Sequence, residues 1–211
     1  MASPLTWLFD AAKQVYHRFR GDKREATVKV SAGLRDTFQE QSKGWAQNLT
    51  DDLFDKRITV QQWQEQFREG LKNQYIAQYI AAKGGRENMD QADWGRLGGL
   101  LKNQYRYHNG FAQDIVEGKM TQAQARVRAQ MYQDSAKQAF ERAKTEGRGM
   151  PPLPAYPGDG QTRCRTNCAC SWRIVETEDG WDCYWELGQA DHCEDCLANA
   201  ERWNPLRLSR V

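Results

Sequence analysis

All six cysteines of the chain fall in one stretch, as Cys164-x3-Cys168-x-Cys170, then Cys183, then His192-Cys193-x2-Cys196. Thiolate and imidazole are the ligands that a tetrahedral zinc ion takes in structural sites, commonly as two close pairs held by turns. Cys193 and Cys196 make one such pair, because a Cys-x2-Cys step where a turn enters a helix aims both sulfurs at one point. Two of Cys164, Cys168 and Cys170 complete a set for one structural Zn2+, with His192 in reserve. Cys183 reads instead as a buried apolar residue. An even number of clustered cysteines also fits disulfides, and free, packed thiols are a third option. The Cys-x-x-Cys step raises thiol redox chemistry too, but the βαβ pattern that normally frames it is missing.

The elements that must position these thiols are legible around them. Ser171–Glu176 and Trp181–Leu187 flank Thr177-Glu178-Asp179-Gly180, and Asp-Gly between alternating segments signals a β-hairpin. Trp172 and Ile174 on one arm, with Trp181, Cys183 and Trp185 on the other, form one aromatic face. Trp172, Trp181 and Trp185 are thereby candidates for a contact surface, or else the cover of a metal core. From Cys193 to Trp203 the pattern is that of a short helix. A unit this small lacks the buried area to stand alone, so a metal staple is physically useful.

Upstream, the composition changes. After Pro4 there is no proline until Pro151, and then Pro152, Pro154 and Pro157 follow closely. Beyond residue 150 there are 6 basic and 10 acidic residues, a net −4, which leaves +6 for the rest. Residues 1–146 therefore read as a helical domain, 147–161 as a semi-rigid Pro/Gly connector and 162–211 as a cysteine-rich, zinc-binding hairpin module. The fold class is mainly α: long amphipathic helices in antiparallel pairs, followed by the small stapled hairpin and short helix.

Within 1–146, Ser3 and Pro4 read as the start of a helix carrying Leu5, Leu8, Phe9, Ala12, Val15, Tyr16 and Phe19 on one side and closed by Gly21. Leu34, Phe38, Trp45 and Leu49 mark a second helix. Thr59 with Gln62 is a capping box that opens a third, striped by Trp63, Phe67, Leu71 and Tyr75, and Gly84-Gly85 ends it. Asp90 starts the next, with Trp94, Leu97, Leu101 and Tyr105. Thr121 with Gln124 is a second capping box, after which Val127, Met131 and Phe140 run on toward Gly147. The two boxes sit in matching surroundings. Leu49, Asp52, Leu53, Arg57, Ile58, Thr59 and Gln62 correspond at one constant offset to Phe111, Asp114, Ile115, Lys119, Met120, Thr121 and Gln124. Either a helical pair is duplicated, or two helix corners ask for the same residue types.

The chain has 211 residues, a formal charge of +2 and a mean hydropathy of −0.89. Eight Trp, eight Tyr and seven Phe argue against disorder. No apolar run approaches the ~20 residues of a membrane span. The first ten residues lack the basic start of a secretory signal, so the expected setting is soluble and cytoplasm-like. The three histidines, His17, His108 and His192, fall in no nucleophile–base arrangement. There is no Gly-x-Ser-x-Gly, phosphate loop or His-Glu-x-x-His. Gly95-x-x-Gly98-Gly99 has no preceding strand and reads as room for close helix packing. The expectation is a protein that is not an enzyme and has no small-molecule substrate.

Three stretches resemble the phage head morphogenesis proteins, also called minor head or minor capsid proteins, of the Mu and SPP1 type. They are the helix Arg128–Phe140, the segment from Leu153 to Gly160 leading into Thr166-Asn-Cys168-Ala-Cys170, and the ending. The ending comprises Trp185-Glu-Leu-Gly188, His192-Cys-Glu-Asp-Cys196 and Trp203-Asn-Pro-Leu-Arg207. The middle stretch is similar to the family's Asn-Cys-Arg-Cys signature, with Ala169 where an arginine is usual. The resemblance implies a structural virion component, built into the phage head during procapsid assembly in the host cytoplasm. Its implied partners are the portal or major capsid protein, with packaged DNA as a further possibility and no membrane. The competing reading is a zinc-stapled adaptor or nucleic-acid-binding module, for which basic residues interleaved with aromatics near the metal are the expected mark. Arg163, Arg165 and Arg173 are present there in an acidic background.

Overall fold

A stretch free of interior proline, which would cost ~3 kcal/mol in a helix, folds here into five helices: α1 (Arg35–Phe54), α2 (Val60–Lys83), α3 (Gln91–Val116), α4 (Gln122–Asp134) and α5 (Lys137–Glu146). The computed structural model describes residues 5–10, 15–20, 23–29, 35–146, 148–189 and 191–210, with side chains from residue 42 onward. None of the helices among the described residues is long and apolar enough to cross a membrane.

The N-terminal segment corrects the expectation of a helix over residues 5–19. It forms β1 (Leu5–Asp10), β2 (Val15–Arg20) and β3 (Lys23–Lys29), an antiparallel sheet in that order. Leu8 stands opposite His17, and Tyr16 opposite Val28. Helical spacing of the apolar residues was outweighed by their kind: Trp7, Phe9, Val15, Tyr16, Phe19, Thr27 and Val28 are β-branched or aromatic, and such residues favour pleated pairing. The proposed cap at Ser3 and Pro4, and Ala12, lie outside the described residues.

Both capping boxes form. The Thr59 and Thr121 hydroxyls accept from the Gln62 and Gln124 amides, and each glutamine side chain accepts from the threonine amide at 2.9 Å. Between helices, the Asp52 carbonyl accepts from the Arg57 amide and the Asp114 carbonyl from the Lys119 amide, at 2.8 and 2.9 Å. The residue before each basic residue is left-handed: Lys56 at φ 58° and Gly118 at φ 67°. The matched sequence thus codes one corner conformation used twice. Only glycine adopts this region without a Cβ penalty. Lys56→Gly is expected to stabilise the chain by up to about 1 kcal/mol in denaturant unfolding, while Gly118→Lys should lower stability by a similar amount.

The helical core is shared by all five helices, with Ala46, Leu49 and Leu53 from α1 and Ala139 and Ala143 from α5. Trp63, Phe67, Leu71, Tyr75 and Tyr79 of α2 pack with Leu97 and Phe111 of α3 and with Ala125, Ala129 and Tyr132 of α4. His108, fully buried, stacks against both Trp63 at 4.8 Å and Phe67 at 4.7 Å. Burial, helped by Arg68 and Arg128, drives its pKa down to about 3 and keeps the ring neutral. Val127, expected on the buried stripe, is 60% exposed, because the face turned inward carries small alanines that let α4 approach closely. The helix also breaks at Ser135. The Ser135 hydroxyl lies 2.6 Å from the Tyr132 carbonyl and 2.8 Å from the Tyr75 hydroxyl, separating α4 from α5. Gly95, Gly98 and Gly99 face open space rather than a packed neighbour.

Where α2, α3 and α5 meet, polar side chains are buried together. Asp93, with no exposed surface, accepts from Lys83 at 2.8 Å and Arg96 at 2.7 Å. The Tyr79 hydroxyl donates to Glu146 at 2.6 Å, and Arg96 reaches the same carboxylate at 3.1 Å. Asp93 also completes a reciprocal cap with Asp90, so it ties the start of α3 to the end of α2.

The C-terminal region contains the expected hairpin as β4 (Ser171–Glu176) and β5 (Gly180–Glu186), joined by a third strand, β6 (Leu206–Ser209). Trp172 stands opposite Trp185, Ile174 opposite Cys183, and Trp181 opposite Leu208. A Cβ on Gly180 would lie 1.9 Å from the Leu208 carbonyl oxygen, so glycine is required for β6 to pair there. Helix α6 (Glu194–Arg202) precedes β6.

The proline-rich segment is docked. Met150, Leu153, Ala155 and Tyr156 are buried in one cluster with the hairpin tryptophans. The Trp172 indole donates to the Ala155 carbonyl at 2.9 Å, and the Arg142 guanidinium lies 4.3 Å from the centre of the Tyr156 ring. From α5, Lys137 donates to the Cys168 carbonyl at 2.8 Å, Lys144 to the Trp172 carbonyl at 2.7 Å, and buried Glu141 accepts from the Trp172 amide at 3.1 Å. Limited proteolysis is therefore expected to spare residues 150–157. Rapid cleavage there, read by mass spectrometry of the fragments, would contradict the docked arrangement.

Candidate metal centre

Three short segments bring the thiols together. A turn and 3-10 helix carry Cys164 and Cys168: the Arg165 amide donates to the Thr162 carbonyl and the Asn167 amide to the Cys164 carbonyl. Cys170 follows just before β4. Cys193 is the N-cap of α6, and Cys196 sits in its first turn, its amide donating to the Cys193 carbonyl at 3.0 Å. Asp195, also in that turn, accepts from the Arg163 amide at 2.7 Å, and Arg163 pairs with Glu194 at 2.5 Å. Gly188 closes the other side, where a Cβ would meet the Ala169 carbonyl oxygen at 2.3 Å. Asp195 and Gly188 are site-building residues that the cysteine spacing did not reveal. A glycine just after the hairpin was the only sequence signal for either.

The result is two overlapping trios of sulfurs. Cys164, Cys193 and Cys196 lie within 4.8 Å of one another, and so do Cys168, Cys170 and Cys196. The Cys196 sulfur is 3.6 Å from that of Cys164 and 3.7 Å from that of Cys168. Four sulfurs bound at ~2.3 Å around one ion stand about 3.8 Å apart, so the spacing fits a shared ion. Cys168, Cys170 and Cys196 are buried, while Cys164 and Cys193 are partly so. These five cysteines can hold a metal ion. The six cysteines are free thiols here.

Cys183 is not among them. It lies on β5 facing the tryptophans with no exposed surface, and burial pushes its pKa up to about 11. His192 is partly exposed and outside both trios among the described residues.

The thiols oppose one another electrostatically. Burial raises Cys164 and, with the neighbouring Cys168 charge, Cys196. Cys168 rises because it donates to Cys170, which falls through accepting that bond. At Cys193 burial works upward, but the amides of Cys196 and Cys164 and the two adjacent thiols outweigh it and bring the pKa to about 7. A nest of thiols in which only some ionise is one that a cation would hold fully ionised, with release of protons.

The aromatic face belongs to the same buried cluster as Cys168, Cys170 and Cys196. Trp172, Trp181 and Trp185 are 1%, 6% and 3% exposed. Trp172 meets Trp185 edge to face at 5.2 Å, and Trp203 packs 5.3 Å from Trp172. These rings are core, not open contact surface: pairing with β6 and docking of the 150–157 segment cover the face that a hairpin alone would expose. No family model, curated protein or solved structure matches this chain.

Proposed function

We propose that the five-thiol cluster binds one structural zinc ion and that the chain serves as a minor component of a phage head, associated with the portal or the inner capsid. The observation that supports the zinc reading is the convergence of thiols from three segments at spacings suited to a tetrahedral ion, in one buried cluster with the tryptophans. Sulfur alone surrounds the ion, which leaves no labile position for catalysis and favours a structural role. The contacts of α1 with α4 (Gln47 to Gln130, Asp51 to Gln122) and of α2 with α3 (Trp63 to Phe111, Tyr79 to Asp93) support antiparallel helix pairs. The head role rests on the sequence resemblance of the C-terminal stretches.

The zinc reading is checked by elemental analysis of protein purified without chelator, with about one zinc per chain expected. For the head role, the chain is coexpressed with the portal and capsid genes of its own phage, and assembled particles are probed for it. Incorporation into particles is expected. Free chain left in the supernatant while normal particles form would overturn the role and favour the adaptor reading.

A further inference from the structure

A single zinc ion uses four thiolates, and this cluster has five. Among the described residues the sulfurs also fall in two triangles, Cys164–Cys193–Cys196 and Cys168–Cys170–Cys196, that share one vertex. Three sulfurs bound at a comparable ~2.3 Å around one ion would stand about 4.0 Å apart, within the spread of each triangle. Thiolate-only sites select soft ions, Cu(I) and Zn2+ among them. Of these, only a monovalent d10 ion is content with three sulfurs. A second zinc would need donors that the cluster lacks.

We propose that the cluster also takes up two soft monovalent ions of the Cu(I) class, one in each triangle, with the Cys196 thiolate bridging them. This rests on the reading that these thiols bind metal, but it does not require zinc to be the resident ion. The same five side chains then accommodate either one four-coordinate ion or two three-coordinate ions. Cys196 is the only residue needed twice. It is also buried, 1% exposed in the first turn of α6.

The test titrates the full chain, reduced with a phosphine under anaerobic conditions, with Cu(I) against a chromophoric Cu(I) chelator. A parallel zinc titration is made. The expected result is two Cu(I) per wild-type chain, with X-ray absorption showing sulfur-only, three-coordinate copper. Cys170→Ser and Cys193→Ser each break one triangle and should bind one Cu(I), whereas Cys183→Ala should still bind two. Saturation of the wild type at one Cu(I), or two Cu(I) retained in Cys170→Ser, would overturn the proposal. Zinc binding at one per chain with copper saturating at one would leave the zinc staple standing and remove the second site. Two Cu(I) without zinc uptake would do the reverse.

Discussion

Cys196→Ser is expected to abolish metal binding and loosen the whole C-terminal region, whereas Cys168→Ser or Cys170→Ser alone should retain about one zinc per chain. Cys196 belongs to both sulfur triangles, so its loss breaks both, and the four thiols left are joined in neither. Cys168 and Cys170 are near equivalents, each beside Cys196, and the loss of one leaves the other to complete a set with Cys164 and Cys193. Apparent binding free energies of structural zinc are roughly 10–16 kcal/mol near pH 7. Losing the ion therefore removes an amount comparable to the usual stability of a whole domain, roughly 5–15 kcal/mol. Trp172, Trp185 and Trp203 share one buried cluster with Cys168, Cys170 and Cys196, so near-ultraviolet dichroism should collapse in Cys196→Ser while far-ultraviolet helicity is largely kept. Cys183→Ala is the control, with metal retained and about 1–2 kcal/mol lost in packing. Zinc retained in full by Cys196→Ser would show that the thiols do not converge as described. Each ligand must shed a proton to bind, so zinc affinity should fall as pH is lowered.

The second large effect is expected at Asp93. Asp93→Ala leaves Lys83, 9% exposed, facing a vacated carboxylate site, and also removes the half of the α3 capping box in which the Asp93 side chain accepts from the Asp90 amide. Breaking a buried ion pair from one side costs about 3–5 kcal/mol. Equilibrium denaturation should show a loss of that size. Asp55→Ala, at an exposed pair with Arg57, should barely register. The pH dependence has a definite sign. Burial works to raise the Asp93 pKa, but Lys83, Arg96 and the Asp90 amide outweigh it and hold the carboxyl below its ordinary value. A depressed folded pKa contributes stability above the unfolded value of ~3.9, and that contribution is lost as pH falls through the folded pKa. The difference between wild type and Asp93→Ala should thus be level from about pH 5 upward and shrink in acid. A difference that instead grew in acid would mean that the carboxyl is buried protonated.

What the amino-acid sequence determined by itself was local. Thr59 with Gln62, Thr121 with Gln124 and Asp90 announced helix starts, because a cap needs only residues three apart. Glu178-Asp179-Gly180 announced the hairpin for the same reason, and Cys193-x2-Cys196 announced two sulfurs on one helical turn. The tertiary structure decided everything that depends on which surfaces meet. It paired the N-terminal segment as strands although its apolar spacing suited a helix, because sheet pairing rewards β-branched and aromatic residues across neighbours that a linear pattern does not show. It added β6 from Leu206–Ser209, too short to be read alone, since its partner β5 lies more than twenty residues earlier in the chain. It buried Leu153 and Tyr156 of a segment whose prolines suggest a free spacer, because the tryptophan face needed a cover. And it brought together five sulfurs rather than four, with Cys196 common to both trios. Spacing along a chain limits which pairs can share a turn, but the number of ligands that converge on one point depends on how the turn at Cys164–Cys168, the hairpin and α6 pack together.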